Sequence, residues 1–312
     1  MIVIDSNNTT SKYNLTSTQC VFDSINLCQK PGSGGHPGTI MSVDKLFCAK
    51  KVELGDNDNN LEIKFLNNEK NQSMFEGFIP IFKGFCNSNN KKYIMIENLK
   101  YNYENPIVLD IKIGFKTVNK EILDLLNLKK NKTLKLLKHS FIDNHSSSSK
   151  YGYRVEGFEG NKYFSKGTLK SMKPKNILKI YFEKDYNNVG LKNIISKLKV
   201  FQNIIMKPDF NSYVLTGSSL LFIYDSNNQS NNSVKMIDFS NSYVYTPETL
   251  SSYNATFVES YRKAIKNLIN DLTILLNSKK VEFNVSSKLS KTSKLSRKSL
   301  SKYSIRKTLK KM

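Results

Sequence analysis

The sequence predicts an α+β fold in two parts, a strand-rich part before about residue 98 and a mixed part of helices and strands reaching about residue 278. Three observations carry this expectation. The chain has 312 residues, enough for one large domain or for two lobes with cores of their own. Short apolar runs punctuated by Gly, Pro and Asn dominate the first third, while sustained helical periodicity comes later, at 119–139, 191–206 and 257–276. Residues 279–312 repeat Lys, Ser and Leu around a single acid, Glu282. That tail has too few large apolar side chains to form a core, so it is expected to be disordered.

The elements follow in order. Residues 1–30 are polar, with one apolar cluster at Val21, Phe22 and Ile25, and read as a short packed arm. A glycine-dense turn at 31–38 leads into a strand at 39–43 and a second at 45–52, a hairpin suited to backbone approach toward an anion. A helix starts at 61–68, and strands follow at 78–85 and 92–96. Residues 97–99 carry the chain into its second part. There 106–114 is a strand, and 119–139 is a helix with Ile122, Leu125, Leu126, Leu134 and Leu137 on one side. Lys129, Lys130, Lys132, Lys135 and Lys138 lie around its other side. A Ser-rich linker at 144–150 precedes a strand pair at 151–157 and 162–166. The helix at 191–206 is core scaffold, two strands at 217–225 and 236–240 flank an Asn/Ser-rich turn, and 257–276 is a closing helix.

Composition narrows the function. Lys and Arg number 48 against 26 acids, a net charge of +22, about half of it in the tail and much of the rest between Lys112 and Lys199. Basic residues inside folded segments suggest a surface for a polyanion. The four cysteines, Cys20, Cys28, Cys48 and Cys86, have no Cys-x-x-Cys spacing, and with three histidines a structural zinc site is not expected. Reduced thiols in an intracellular protein, cytoplasmic or nuclear, are the expectation. No segment reads as a signal peptide or a membrane span. The chain is expected to be a monomer.

Chemistry concentrates at 106–114, Pro-Ile-Val-Leu-Asp-Ile-Lys-Ile-Gly. Asp110 and Lys112 are two apart on a strand and so share a face. Two charges on an otherwise apolar strand are costly unless a charged ligand meets them, which makes this strand a candidate site wall. Farther on stand Gly217-Ser218-Ser219-Leu220-Leu221 and Met236-Ile237-Asp238-Phe239-Ser240.

These three segments, with Tyr93 to Leu99 upstream, resemble the Pro-x-x-x-Asp-x-Lys-x-Gly, Ser-Ser-Leu-Leu, Ile-Asp-Phe and hinge motifs of the inositol polyphosphate kinases. The resemblance spans about residues 31–276 and implies a two-lobed kinase or ATP-grasp-like fold with ATP in the cleft. Its N-lobe would be 31–98 and its C-lobe 99–278. Lys50 would reach the nucleotide phosphates, although a one-residue slip would substitute Lys51. Glu62 would brace that lysine. The Glu97 carbonyl and Leu99 amide would hold adenine, Ile237 would pack on it, and Asp110 would bind the ribose. Ser218 or Ser219 would support phosphates or metal. Asp238 would ligate Mg²⁺, and Lys112 would bridge acceptor and transferred phosphate. Lys129, Lys130, Lys132, Lys135, Arg154 and Lys166 would join Lys112 in binding the inositol polyphosphate.

Departures from the family pattern bear on the substrate. Ser240 and Asn241 stand where many relatives carry Ala-His or Gly-Lys, so a charged or titratable group is missing, and Asn241 cannot take a proton. A phosphate acceptor needs no base, so this change, with the Glu97-Asn98-Leu99 hinge, points toward the hexakisphosphate kinase branch and pyrophosphate synthesis. The short stretch between Gly114 and Tyr151 argues against a trisphosphate-specific enzyme. A multikinase acting on ring hydroxyls is the alternative. A non-catalytic polyanion or nucleic-acid binder would account for the tail but not for Asp110 and Asp238. A protein kinase would need His-Arg-Asp and Asp-Phe-Gly motifs, which the sequence lacks.

Overall fold

A computed structural model describes residues 18–22, 28, 40–43, 45–52, 61–118, 132–245 and 255–279. Its first part is a five-stranded sheet in the order β1 (Thr18–Gln19), β4 (Phe82–Ser88), β5 (Lys91–Glu97), β3 (Phe47–Lys51), β2 (Ile40–Ser42). All pairings are antiparallel except β1 with β4. The expected hairpin is the β2 and β3 pair, while β4 starts later than expected, since 78–81 forms the turn that enters it.

Helices α1 (Leu61–Leu66) and α2 (Glu69–Met74) follow β3 in the chain, yet they pack on the second part. Phe65 stacks on Phe239 with ring centroids 4.3 Å apart, and Tyr213 Oη donates to Asn71 Oδ1 at 2.8 Å. The main core is therefore continuous across both parts. A smaller cluster of Cys20, Ala49, Cys86 and Tyr93 forms beside it, with Phe22 from the N-terminal arm edge-on to Tyr93 at 5.1 Å.

The second sheet runs β10 (Asn232–Ile237), β9 (Ser219–Asp225), β6 (Pro106–Ile113), β7 (Tyr153–Glu159), antiparallel throughout. Burial explains β6: Leu109, Ile111 and Ile113 are fully buried on one face, and Asp110 and Lys112 project from the other. A bulge on β7 skips Glu156 opposite the Asp110 to Ile111 step. Around the sheet lie α3 (Lys132–Asn144), α4 (Ser148–Tyr151), α5 (Lys166–Ser171), α6 (Pro174–Tyr181), α7 (Val189–Ile205) and α8 (255–279). β8 (Tyr213–Leu215) and β11 (Ser242–Val244) form a separate pair. Of the expected strand pair at 151–157 and 162–166, only the first half is a strand. Ser165 caps α5 instead, its hydroxyl accepting from the Thr168 amide.

One expectation is overturned here and one helix differs in extent. The thiols are not reduced: Cys20 pairs with Cys86 and Cys28 with Cys48. Spacing along the chain could not show this, because the parallel alignment of β1 on β4 places residues 18 and 86 side by side. The Cys20 to Cys86 link spans 66 residues, so reduction is expected to remove about 4 kcal/mol of stability on chain-entropy grounds. Thermal unfolding with and without reductant checks this, and an unchanged Tm would contradict it. The second difference concerns the helix expected at 119–139: α3 runs on to Asn144, and 119–131, with Ile122, Leu125 and Leu126, lie outside the described residues. Leu134 and Leu137 are exposed, and the buried side carries Asp143.

Candidate active site

The register of the second sheet assembles the site. Lys112 on β6 lies opposite Ser219 on β9, and Ser219 lies opposite Ile237 at the end of β10. One residue past β10, Asp238 adopts a left-handed backbone, φ 65°, which Asp tolerates better than most side chains. That turn aims its carboxylate back at β6. Lys112 Nζ donates to Asp238 Oδ2 at 3.4 Å and to the Gly217 carbonyl at 2.7 Å. Gly217 itself needs to be glycine: its φ is +76°, and an added Cβ would stand 2.9 Å from the Thr117 carbonyl oxygen.

From the first sheet, Lys50 Nζ donates to Glu62 Oε1 at 2.8 Å and to Asp238 Oδ1 at 3.5 Å. The register excludes the alternative lysine, since Lys51 is exposed on the opposite side of β3. α1 supports both ends of this arrangement, Glu62 holding Lys50 and Phe65 stacking on the residue next to Asp238. Asp238 thus sits between two ammonium groups with 42 % of its side chain exposed to the cleft. Burial works to raise its pKa, but Lys112 and Lys50 prevail and hold it at about 2. Lys50 is pulled down by burial, yet Glu62 and Asp238 raise it well above an ordinary lysine.

Asp110 behaves in the opposite way. Burial pushes its carboxyl up to about 7, with Lys112 opposing only in part. Its Oδ1 is buried without a hydrogen-bond partner. A buried acceptor left open beside a cleft is a place for a donor from a ligand.

The cleft between the sheets has about 920 Å³ of empty space, counting the part open to solvent. Lys50, Asp110, Ile237 and Asp238 line it, with Glu97 and Leu99 at the hinge side. Glu97 is fixed there by Lys235 at 3.4 Å and by the Ile81 amide at 3.3 Å. Sequence reading missed the Lys100 to Glu159 ion pair, 3.2 Å, in the same wall. Glu159 lies opposite Val108 across a non-sequential pairing, and nothing in its local sequence marks it.

The remaining expected residues fall elsewhere. Ser218 and Ser219 are fully buried; Ser218 Oγ donates to the Leu215 carbonyl at 2.9 Å and builds the turn behind Lys112, while Ser219 opens β9 opposite Lys112. Arg154 is not offered to a ligand. Its Nη1 donates to Asp143 Oδ1 at 2.5 Å and Ser148 Oγ at 2.9 Å, and its Nε to Glu156 Oε1 at 2.6 Å. A 2 % exposed guanidinium requires such partners, and Asp143 also takes the Thr117 amide and hydroxyl. Arg154 thereby secures the turn after β6. Lys166 is exposed at the start of α5. Lys129 and Lys130 lie outside the described residues, as do the side chains of Lys132 and Lys135 on α3 and all of 280–312.

Comparison with known proteins identifies the family and the fold. The sequence profile of the inositol polyphosphate kinases matches residues 93–273, more than half of the chain. The crystal structure of inositol phosphate multikinase Ipk2 from S. cerevisiae, in complex with ADP and Mn²⁺, superposes with a TM-score of 0.58 at 18 % identity, covering 74 % of this chain and 99 % of that one. A second inositol phosphate multikinase structure gives 0.51 at 15 % identity, covering 68 % and 96 %. No curated protein sequence matches. At these identities the superpositions establish the fold, and the family profile establishes kinship.

Proposed function

This chain belongs to the inositol polyphosphate kinase family, and on that premise we propose that its cleft transfers the γ-phosphoryl group of ATP to a highly phosphorylated inositol, hexakisphosphate or pentakisphosphate, forming a pyrophosphate. The observation that carries the reading is the single ionised carboxylate of Asp238 held between Lys50 and Lys112 at the joint of the two sheets. Phosphoryl transfer asks for alignment and for positive charge beside the oxygens, with little covalent chemistry from the protein.

Asp238 suits a magnesium ligand. It is a hard oxygen donor, ionised at neutral pH, and partly open to the cleft. The bound metal would neutralise charge on the nucleotide phosphates. Lys50, kept protonated by Glu62, neutralises the phosphates from the other side. Lys112, anchored on the Gly217 carbonyl, presents its ammonium between the transferred phosphate and the acceptor. The bond from Pγ to its bridging oxygen breaks, a bond from Pγ to the acceptor oxygen forms, and ADP leaves. When the acceptor is already a phosphate oxygen, no proton must be removed. Asn241 fits that demand, since a Cβ at Gly217 would be 3.3 Å from its Nδ2 and it brings no titratable group to this place.

Asp110 would take a ribose hydroxyl on its open Oδ1. Its folded pKa is raised from 3.8 to about 7, so the ionised acceptor gains population only as pH climbs through about 7, and the stability that the protonated form contributes is lost between those two values as pH rises. Adenosine, which does not titrate there, is therefore expected to bind more tightly above pH 7 than below. Calorimetric titration across that range should show the rise, and Asp110→Asn should flatten it.

Incubation with ATP, Mg²⁺ and inositol phosphates from tris- to hexakisphosphate, with products separated by charge, tests the substrate. Conversion of hexakisphosphate to a more charged product supports pyrophosphate synthesis. Conversion only of species with free hydroxyls would establish the multikinase reading instead.

A further inference from the structure

We infer that the outward face of α3 is a docking surface for an anionic lipid bilayer, which the protein would meet from one side without crossing. None of the residues it uses lines the cleft, and Lys132 and Lys135 of the same helix play no part in it. Leu134, Leu137 and Phe141 are 68 %, 63 % and 64 % exposed. At about 100° per residue they fall in one narrow stripe, and Asp143 lies about 180° from its start. Asp143 is the only acid of the helix, and it is buried against Arg154 and Thr117. The body of the protein thus holds the helix at Asp143, with Leu136 half-buried beside it, and turns Leu134, Leu137 and Phe141 to water. Three large exposed hydrophobic residues on consecutive turns form a patch that asks for an occupant.

Charge selects that occupant. Lys138 is exposed beside the stripe, and Lys150 is exposed just past the helix. With its acid buried, the exposed part of α3 carries no negative charge: Leu134, Leu137 and Phe141 stand beside Lys138, with only the uncharged Ser140 and Asn144 otherwise exposed among its described side chains, a combination that suits the interface of an anionic membrane. A second copy would bring another +22 against this one, so self-association at this face is opposed electrostatically. Among the described residues no helix is long and apolar enough to cross a membrane, consistent with docking from one side.

The chain contains no Trp, so Phe141→Trp places a single reporter on the stripe. With phosphatidylcholine vesicles containing phosphatidylserine, its emission should shift to the blue and be quenched by brominated acyl chains, and pure phosphatidylcholine should do little. In co-sedimentation, the full chain carrying Leu137→Ala and Phe141→Ala should lose about tenfold or more in affinity for the same vesicles. Both residues are exposed, so its circular dichroism should match the parent. Equal binding by that variant would overturn the inference, because charge elsewhere would then account for adhesion. Blue emission without lipid would also overturn it, showing the face covered by the chain itself or, if it depends on concentration, by a second copy.

Discussion

Asp238→Asn is expected to lower kcat by on the order of 10³-fold or more, with the fold intact. The substitution keeps shape and removes charge. Three effects then act together: the proposed anionic donor for the metal is gone, Lys112 and Lys50 lose their shared counterion, and two ammonium groups face each other in the cleft. The protein itself should not suffer greatly, because Asp238 is 42 % exposed and Phe239, which supplies the packing, is untouched. Steady-state turnover alongside thermal unfolding separates the two effects. A variant that retains a tenth of the parental rate would contradict the assignment.

Lys112→Ala is expected to reduce kcat by on the order of 10²- to 10³-fold while ADP affinity changes only a few-fold. The lysine touches Asp238 and the Gly217 turn, whereas the hinge, Ile237 and Lys50 line the cleft and are the groups proposed to hold the nucleotide. A purely structural role would predict lost nucleotide binding and lowered stability in parallel with lost rate. Lys112→Arg should not restore activity, since a planar guanidinium cannot replace an ammonium whose 2.7 Å bond to a carbonyl sets its position.

Much of this site was legible before any coordinates. Alternation along β6 places Asp110 and Lys112 on one face, and the short Ile237-Asp238-Phe239 run ends a strand that must pair nearby. The choice between Lys50 and Lys51 was not legible, because a period of two leaves the register open until β3 meets β5. Arg154 shows a different limit. An arginine offered to a ligand and one enclosed by carboxylates look alike in sequence, and its partner Asp143 stands eleven residues away on another element. The same ion pair decides the orientation of α3. Leu and Lys periodicity divides that helix into two faces, but only the buried Asp143 tells which face meets the protein. The cysteine pairs were hidden for a related reason, since a parallel two-residue strand at the N-terminus carries almost no pattern of its own.

The central claim is that the joint between the two sheets moves a phosphoryl group onto an inositol polyphosphate. Its most direct measurement is transfer of label from γ-labelled ATP to inositol hexakisphosphate by the full chain, with the Asp238→Asn protein run in parallel. The account predicts label in a product more charged than hexakisphosphate for the parent, and almost none for the variant. Label that appears equally with both proteins, or in no inositol phosphate from tris- to hexakisphosphate with the parent, would contradict it.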